Sequence, residues 1–133
     1  MEIVDFKNEY VFNSRREELF TSFLDELAYM KEFLDDIKIA VFGSFITKKE
    51  SPGDFDIIVI GTLNEKGRKM QSENFPKLIP CKNESIHRKG KFNTSKVNQE
   101  IEKLVMEFNN DTNNKLKNIS IEEFIELNLE SNR

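Results

Sequence analysis

Val41-Phe-Gly-Ser-Phe-Ile-Thr-Lys-Lys-Glu-Ser-Pro-Gly-Asp-Phe-Asp-Ile-Ile-Val-Ile60 is the stretch on which the reading of this chain turns. Residues 37–42 form a β-rich apolar run that stops at Gly43-Ser44. Residues 51–54, Ser-Pro-Gly-Asp, carry type II turn chemistry, with Pro fixing φ and Gly accepting a positive φ. Residues 55–60 are almost continuously apolar, which predicts a strand buried on both faces. Two consecutive strands with so short a connection lie most simply side by side.

The polar residues at this junction carry the chemistry. Side chains at i and i+2 of a strand project to one face, so Asp54 and Asp56 point together with Cβ atoms about 6–7 Å apart. Such a pair can converge on one hard cation, and Mg²⁺ commonly takes one or two carboxylates plus substrate phosphates. Gly43 has no side chain to keep a phosphate from the backbone, and Ser44 offers a hydroxyl and an amide. A helical turn starting there would add free amides for an anion. Lys48 lies between turn and carboxylates, where an ammonium could meet a triphosphate. Pairing of the two strands would bring these groups to one end of a sheet, as phosphoryl or nucleotidyl transfer requires. The plainer alternative is turn chemistry alone, because Ser-Pro-Gly-Asp makes a good turn in any protein.

The pattern resembles the nucleotidyltransferase superfamily, the polymerase-β-like fold. Its signature is an apolar strand, Gly-Gly or Gly-Ser, roughly ten residues, and an acidic–apolar–acidic triplet opening the next strand. Gly43, Ser44, Asp54 and Asp56 match it position by position, and the flanks look like those of small stand-alone bacterial and phage members. The resemblance spans about residues 10–62. It implies that Gly43 and Ser44 hold the triphosphate of an NTP and that Asp54 and Asp56 bind Mg²⁺. It further implies transfer of a nucleoside monophosphate to a protein, RNA or small-molecule acceptor, in a toxin–antitoxin or phage-defence setting with a protein partner. Superfamily members usually place a third carboxylate on a later strand. No apolar–Asp–apolar pattern follows residue 62, and Glu84 and Glu73 are the nearest acids. The alternative is therefore a catalytically degenerate domain that binds a nucleotide or a protein as a regulatory module.

Outward from the motif, Ser14 and Glu17 form a capping box at the start of a helix over about residues 15–35. Its apolar face is Leu19, Phe20, Phe23, Leu24, Leu27 and Leu34. Residues 64–74 are at best a weak helix, and residues 78–81 and 85–88 are strand fragments. Helical spacing returns over residues 94–109 with Val97, Ile101, Leu104, Val105 and Phe108. A second capping box at residues 120–123 predicts a short helix bearing Phe124, Ile125, Leu127 and Leu129. The expected class is α+β, a small mixed sheet with helices packed on it, as one domain over residues 1–133.

The 133 residues carry a net charge of −4, which argues against a whole-molecule grip on nucleic acid. His87, Arg88, Lys89, Lys91 and Lys82 form a basic segment that reads as a phosphate contact or, more simply, as a solvated loop. The single cysteine, Cys81, excludes an internal disulfide and reads as a small buried hydrophobe. No apolar run reaches the roughly 20 residues needed to span a bilayer, and no signal-peptide pattern opens the sequence, so the cytoplasm is the expected location.

Overall fold

A computed structural model of the chain describes residues 1–74, 79–110 and 124–129. The described elements run α1 (Ile3–Tyr10), α2 (Ser14–Lys31), β1 (Leu34–Phe42), a 3-10 turn (Gly43–Ile46), β2 (Phe55–Leu63), α3 (Glu65–Asn74), β3 (Ile86–Asn93), α4 (Ile101–Asn110) and β4 (Ile125–Leu127). The strands form one mixed sheet in the order β3-β2-β1-β4. β1 is antiparallel to both β2 and β4, and β2 is parallel to β3. This is the α+β class expected from the sequence.

Strand alternation splits the core into two layers. Ile39 and Val41 of β1 and Phe55, Ile57 and Val59 of β2 face α1 and α2. Ala40, Ile58 and Ile60 face the opposite way, under Ile101, Leu104 and Val105 of α4. The continuous apolar run of β2 is thus explained: both of its faces are covered. The first layer is built on phenylalanine. The Phe55 ring lies 4.4 Å from Phe45 and 4.6 Å from Phe23, and Phe6 lies 5.9 Å from Phe45 (centroid distances). Offset and tilted ring contacts of this kind add about 0.5–1.5 kcal/mol per pair to area burial.

Several local expectations are corrected. The cap of α2 is Asn13, whose Oδ1 accepts from Arg16 N at 2.9 Å, and Ser14 is already helical. The helix ends at Lys31, not near 35, because Leu34 belongs to β1, paired with Leu63 and packed over Gly61. Leu24 is partly exposed rather than core. α1 has no counterpart in the sequence reading, although Ile3 and Phe6 recur at helical spacing and are buried. Of the basic segment, His87, Arg88, Lys89 and Lys91 lie in strand β3, and Lys82 lies in the turn before it. α4 begins at Ile101, and Val97 before it is exposed. Ile125–Leu127 is strand β4, not a helix, since alternation of Ile125, Leu127 and Leu129 suits the free edge of β1. The capping box at 120–123 lies outside the described residues.

One interaction ties the first helix pair to the β1–β2 connection. Arg16 is fully buried. Its guanidinium donates to Tyr10 O at 2.9 Å, Phe45 O at 2.6 Å, Thr47 O at 2.8 Å and Lys49 O at 2.6 Å from Nη2 and 3.0 Å from Nε. It also lies between the Phe12 ring, 4.3 Å from its centroid, and the Phe45 ring at 4.8 Å. Replacing Arg16 with Met would bury four carbonyl oxygens without donors. The expected loss is about 3–5 kcal/mol of unfolding free energy, measured by urea denaturation. A loss below about 1 kcal/mol would show that water replaces the guanidinium at no cost.

Candidate active site at the β1–β2 junction

The register of β1 and β2 builds the site. Phe42, the last residue of β1, pairs with Asp56. Gly43 follows at φ +78°, in the left-handed region that favours glycine, and turns the chain into the 3-10 turn. A Cβ built on Gly43 would collide with Asp56 Oδ2. The glycine and the carboxylate are therefore in contact across the strand pair, as the sequence spacing predicted. The 3-10 turn is pinned by Phe45 in the aromatic layer. Thr47 closes it, its Oγ1 donating to Ser44 O at 2.6 Å and its amide to the same oxygen at 3.2 Å.

β3 supplies the third side. Its parallel register places His87 beside Asp56 and Lys89 beside Ile58, on the face away from α1 and α2. His87 Nε2 lies 3.4 Å from Asp54 Oδ1, and His87 Nδ1 lies 3.5 Å from Asp56 Oδ1. The next residue, Arg88, turns to the other face. There it lies 3.7 Å from the buried carboxylate of Glu26 and donates to Ile79 O. Glu26 also accepts from Lys82 N, Asn83 N and Asn83 Nδ2. This buried anchor on α2 fixes the turn that leads into β3, and with it the place of His87.

The electrostatics follow from partial burial. Desolvation raises the Asp56 carboxyl above its ordinary value, and Asp54 adds to the rise, while His87 and Lys89 oppose it. Desolvation lowers the Lys89 ammonium, and Asp56 opposes that. Lys89 Nζ sits 5.7 Å from the centroid of the Phe42 ring, so Phe42, Asp56 and Lys89 form one corner. Burial also pushes up the half-buried Cys81 thiol, consistent with a structural cysteine.

The sequence-predicted residues thus divide. Gly43, Ser44, Asp54 and Asp56 come together. Lys48 does not join them: its Nζ rests near the Tyr10 and Phe12 rings, at 5.8 and 5.9 Å, beside α1. Glu84 lies in the exposed turn before β3, and Glu73 on the exposed side of α3, which leaves from the opposite end of β2. Among the described residues, no group of three or more His, Cys, Asp or Glu side chains is arranged to hold a metal ion. Two carboxylates alone still suit a cation that arrives on a phosphate chain and keeps most of its ligands from phosphate and water. His87 and Lys89 join the site from the basic segment, which the sequence left open between a phosphate contact and a solvated loop; the parallel register of β3 sets them beside Asp56 and Ile58.

Fold and site together define an α+β domain with a glycine–serine turn set against paired aspartates on a mixed sheet. The chain belongs to DUF6932, a family of unknown function, whose family model matches residues 1–127. No curated protein and no solved structure shows significant similarity to it. Among the described residues, no helix is long and apolar enough to cross a membrane.

The raised Asp56 carboxyl makes a stability prediction. A group raised in the folded state favours folding most when protonated, and that contribution is lost as pH climbs through its folded value. Asp56→Asn, measured with chelator present, should raise Tm by a few degrees at neutral pH. The gain should shrink toward zero as pH falls below the ordinary aspartate range. An equal gain at both pH values would mean that ionisation of Asp56 is not its source. Gly43→Ala should have the opposite sign. The left-handed φ alone costs about 1–2 kcal/mol, and the new methyl displaces the Asp56 carboxylate, so Tm should drop at every pH.

Proposed function

We propose that this chain binds a nucleoside triphosphate with Mg²⁺ at the β1–β2 junction and transfers its nucleoside monophosphate to an acceptor hydroxyl. The observation that carries the reading is the contact of Gly43 with Asp56. It sets a turn open to phosphate directly against a carboxylate able to share the phosphate's cation. The resemblance of Gly43-Ser44 and Asp54-x-Asp56 to the nucleotidyltransferase signature supports it.

In this reading Gly43 lets the Asp56 carboxylate lie against the turn, and the amides and hydroxyl of the Gly43-Ser44 turn hold the phosphate chain. Asp54 and Asp56 would hold Mg²⁺, which when bound supplies charge neutralisation on the phosphate oxygens. Lys89, the ammonium beside Asp56, adds positive charge where negative charge grows on the phosphoryl oxygens. The acceptor oxygen attacks the α-phosphorus in line, the bond to the bridging oxygen breaks, and pyrophosphate leaves. In this reading a protein partner, such as the second member of a toxin–antitoxin pair, contributes to acceptor recognition.

A second reading has its own observation. β3 presents His87 and Lys89 beside Asp56, where the superfamily usually has a third carboxylate. This favours a module that binds Mg²⁺·NTP and does not turn it over. One experiment separates the two. Calorimetry with Mg²⁺ and a non-hydrolysable ATP analogue should show binding that Asp54→Ala/Asp56→Ala abolishes. Incubation with each α-labelled NTP in a cognate lysate should give labelled product in the wild type alone. Binding without product selects the module, and neither binding nor product sinks both readings.

A further inference from the structure

The phosphate turn and Asp54 are joined by residues 45–53, a strap without regular structure after Ile46. It is held from outside by the first turn of α2, along its whole length. Arg16 takes the first half, at Phe45 O, Thr47 O and Lys49 O. Asn13 Nδ2 donates to Glu50 O at 2.8 Å. Arg15 takes the last two peptides before the carboxylate, Nε donating to Pro52 O at 3.2 Å and Nη2 to Gly53 O at 3.0 Å. We propose that Arg15 is a positioning residue for the nucleotide site, holding the Gly53–Asp54 peptide so that Asp54 stays beside Asp56 and His87.

The division of labour between the two arginines supports this. Arg16 is fully buried and integral to the core. The Arg15 side chain is 39% exposed, and its ion pair with Glu18, at 3.3 Å, is a surface contact. Gly53 is exposed, and a Cβ there would touch nothing within 4 Å, whereas Pro52 before it is buried. Asp54 is itself 46% exposed. The next fixed point after Gly53 is Phe55, buried, with its amide bonded to Ser85 O at 2.9 Å. Between Pro52 and Phe55 the described donors to the backbone carbonyls are therefore those of Arg15. A guanidinium suits the task because its planar fork reaches two carbonyls at once, which an ammonium does less well.

The functional half of this inference rests on the nucleotide reading above, and the structural half does not. The test uses the full chain with Arg15→Gln, Arg15→Lys and, as a control for the surface ion pair, Glu18→Gln. Without ligand, Arg15→Gln should keep Tm within about 3 °C of wild type. Its amides at 54 and 55 should exchange several-fold faster, while those of residues 57–60 keep their protection. Titration with Mn²⁺ and a non-hydrolysable ATP analogue should show an affinity about tenfold weaker, as for other residues that orient metal ligands. Arg15→Lys should fall between, and Glu18→Gln should match wild type. Unchanged exchange at 54 and 55 overturns the proposal whatever the binding result. Faster exchange with unchanged affinity overturns the positioning role. Loss of Tm and of protection throughout β2 overturns it too, because Arg15 would then be a general stabiliser. A wild type that binds no Mn²⁺·nucleotide counts against the nucleotide reading, and exchange alone then decides whether Arg15 holds Asp54.

Discussion

A positive charge with no carboxylate beside it among the described residues sits at the centre of this fold. The partners of the buried Arg16 guanidinium are carbonyl oxygens of the α1–α2 link and of the β1–β2 connection. Burial lowers its pKa, yet a guanidinium stays protonated in proteins. Its desolvation must then be offset by hydrogen bonds and by the faces of Phe12 and Phe45. Carbonyl groups in an irregular segment face the same problem from the other side, because they need donors that no strand or helix provides. Arginine solves both at once. The turn after β1 and the first half of the connection that follows it are bound to one side chain on α2.

Layering explains where the site opens. The face of the sheet toward α1 and α2 is filled by rings, and a phosphate chain would find no room there. The other face is covered by α4 over Ala40, Ile58 and Ile60, the middle of β1 and β2. Phe42, Asp56, His87 and Lys89 share that face at the end where β1 stops and β2 and β3 begin. Asp56 is consequently half-desolvated, and its ionisation costs folding free energy. That is an expected trade where a charge is kept for binding rather than for stability.

What the sequence made legible was local. Gly43, Ser44, Asp54 and Asp56 could be placed because a turn and a two-residue alternation are short-range rules, and β2 could be placed because its run is unbroken. Long-range partners were not legible. Arg16 reads as one more charge on an amphipathic helix, and only the fold shows that the face it occupies meets carbonyls rather than water. Glu26 is concealed in the same way. Lys48 is nearest the motif in sequence but turns to Tyr10 and Phe12, while Lys89, more than thirty residues beyond Asp56, arrives through the parallel pairing of β3. Ile125 and Leu127 satisfy both a helical and an alternating pattern over so few residues, and the open edge of β1 decides between them.

β3 cannot slide to offer another residue to Asp56. Arg88 is tied to Glu26 and Ile79, and Gly90 lies so close to Val59 that a Cβ there would collide with Val59 O. The neighbour of Asp56 is thus set as His87, and the next side chain on that face is Lys89. Two carboxylates beside an imidazole and an ammonium hold far less negative potential than three carboxylates would. A free divalent cation would gain little by leaving water for such a site. A cation already bound to a triphosphate gains more, because the Lys89 ammonium then faces phosphate oxygens instead of repelling a bare ion. Under the nucleotide reading proposed above, the site that β3 completes suits the metal–nucleotide complex as a unit, and nucleotide and cation should bind to it together or not at all.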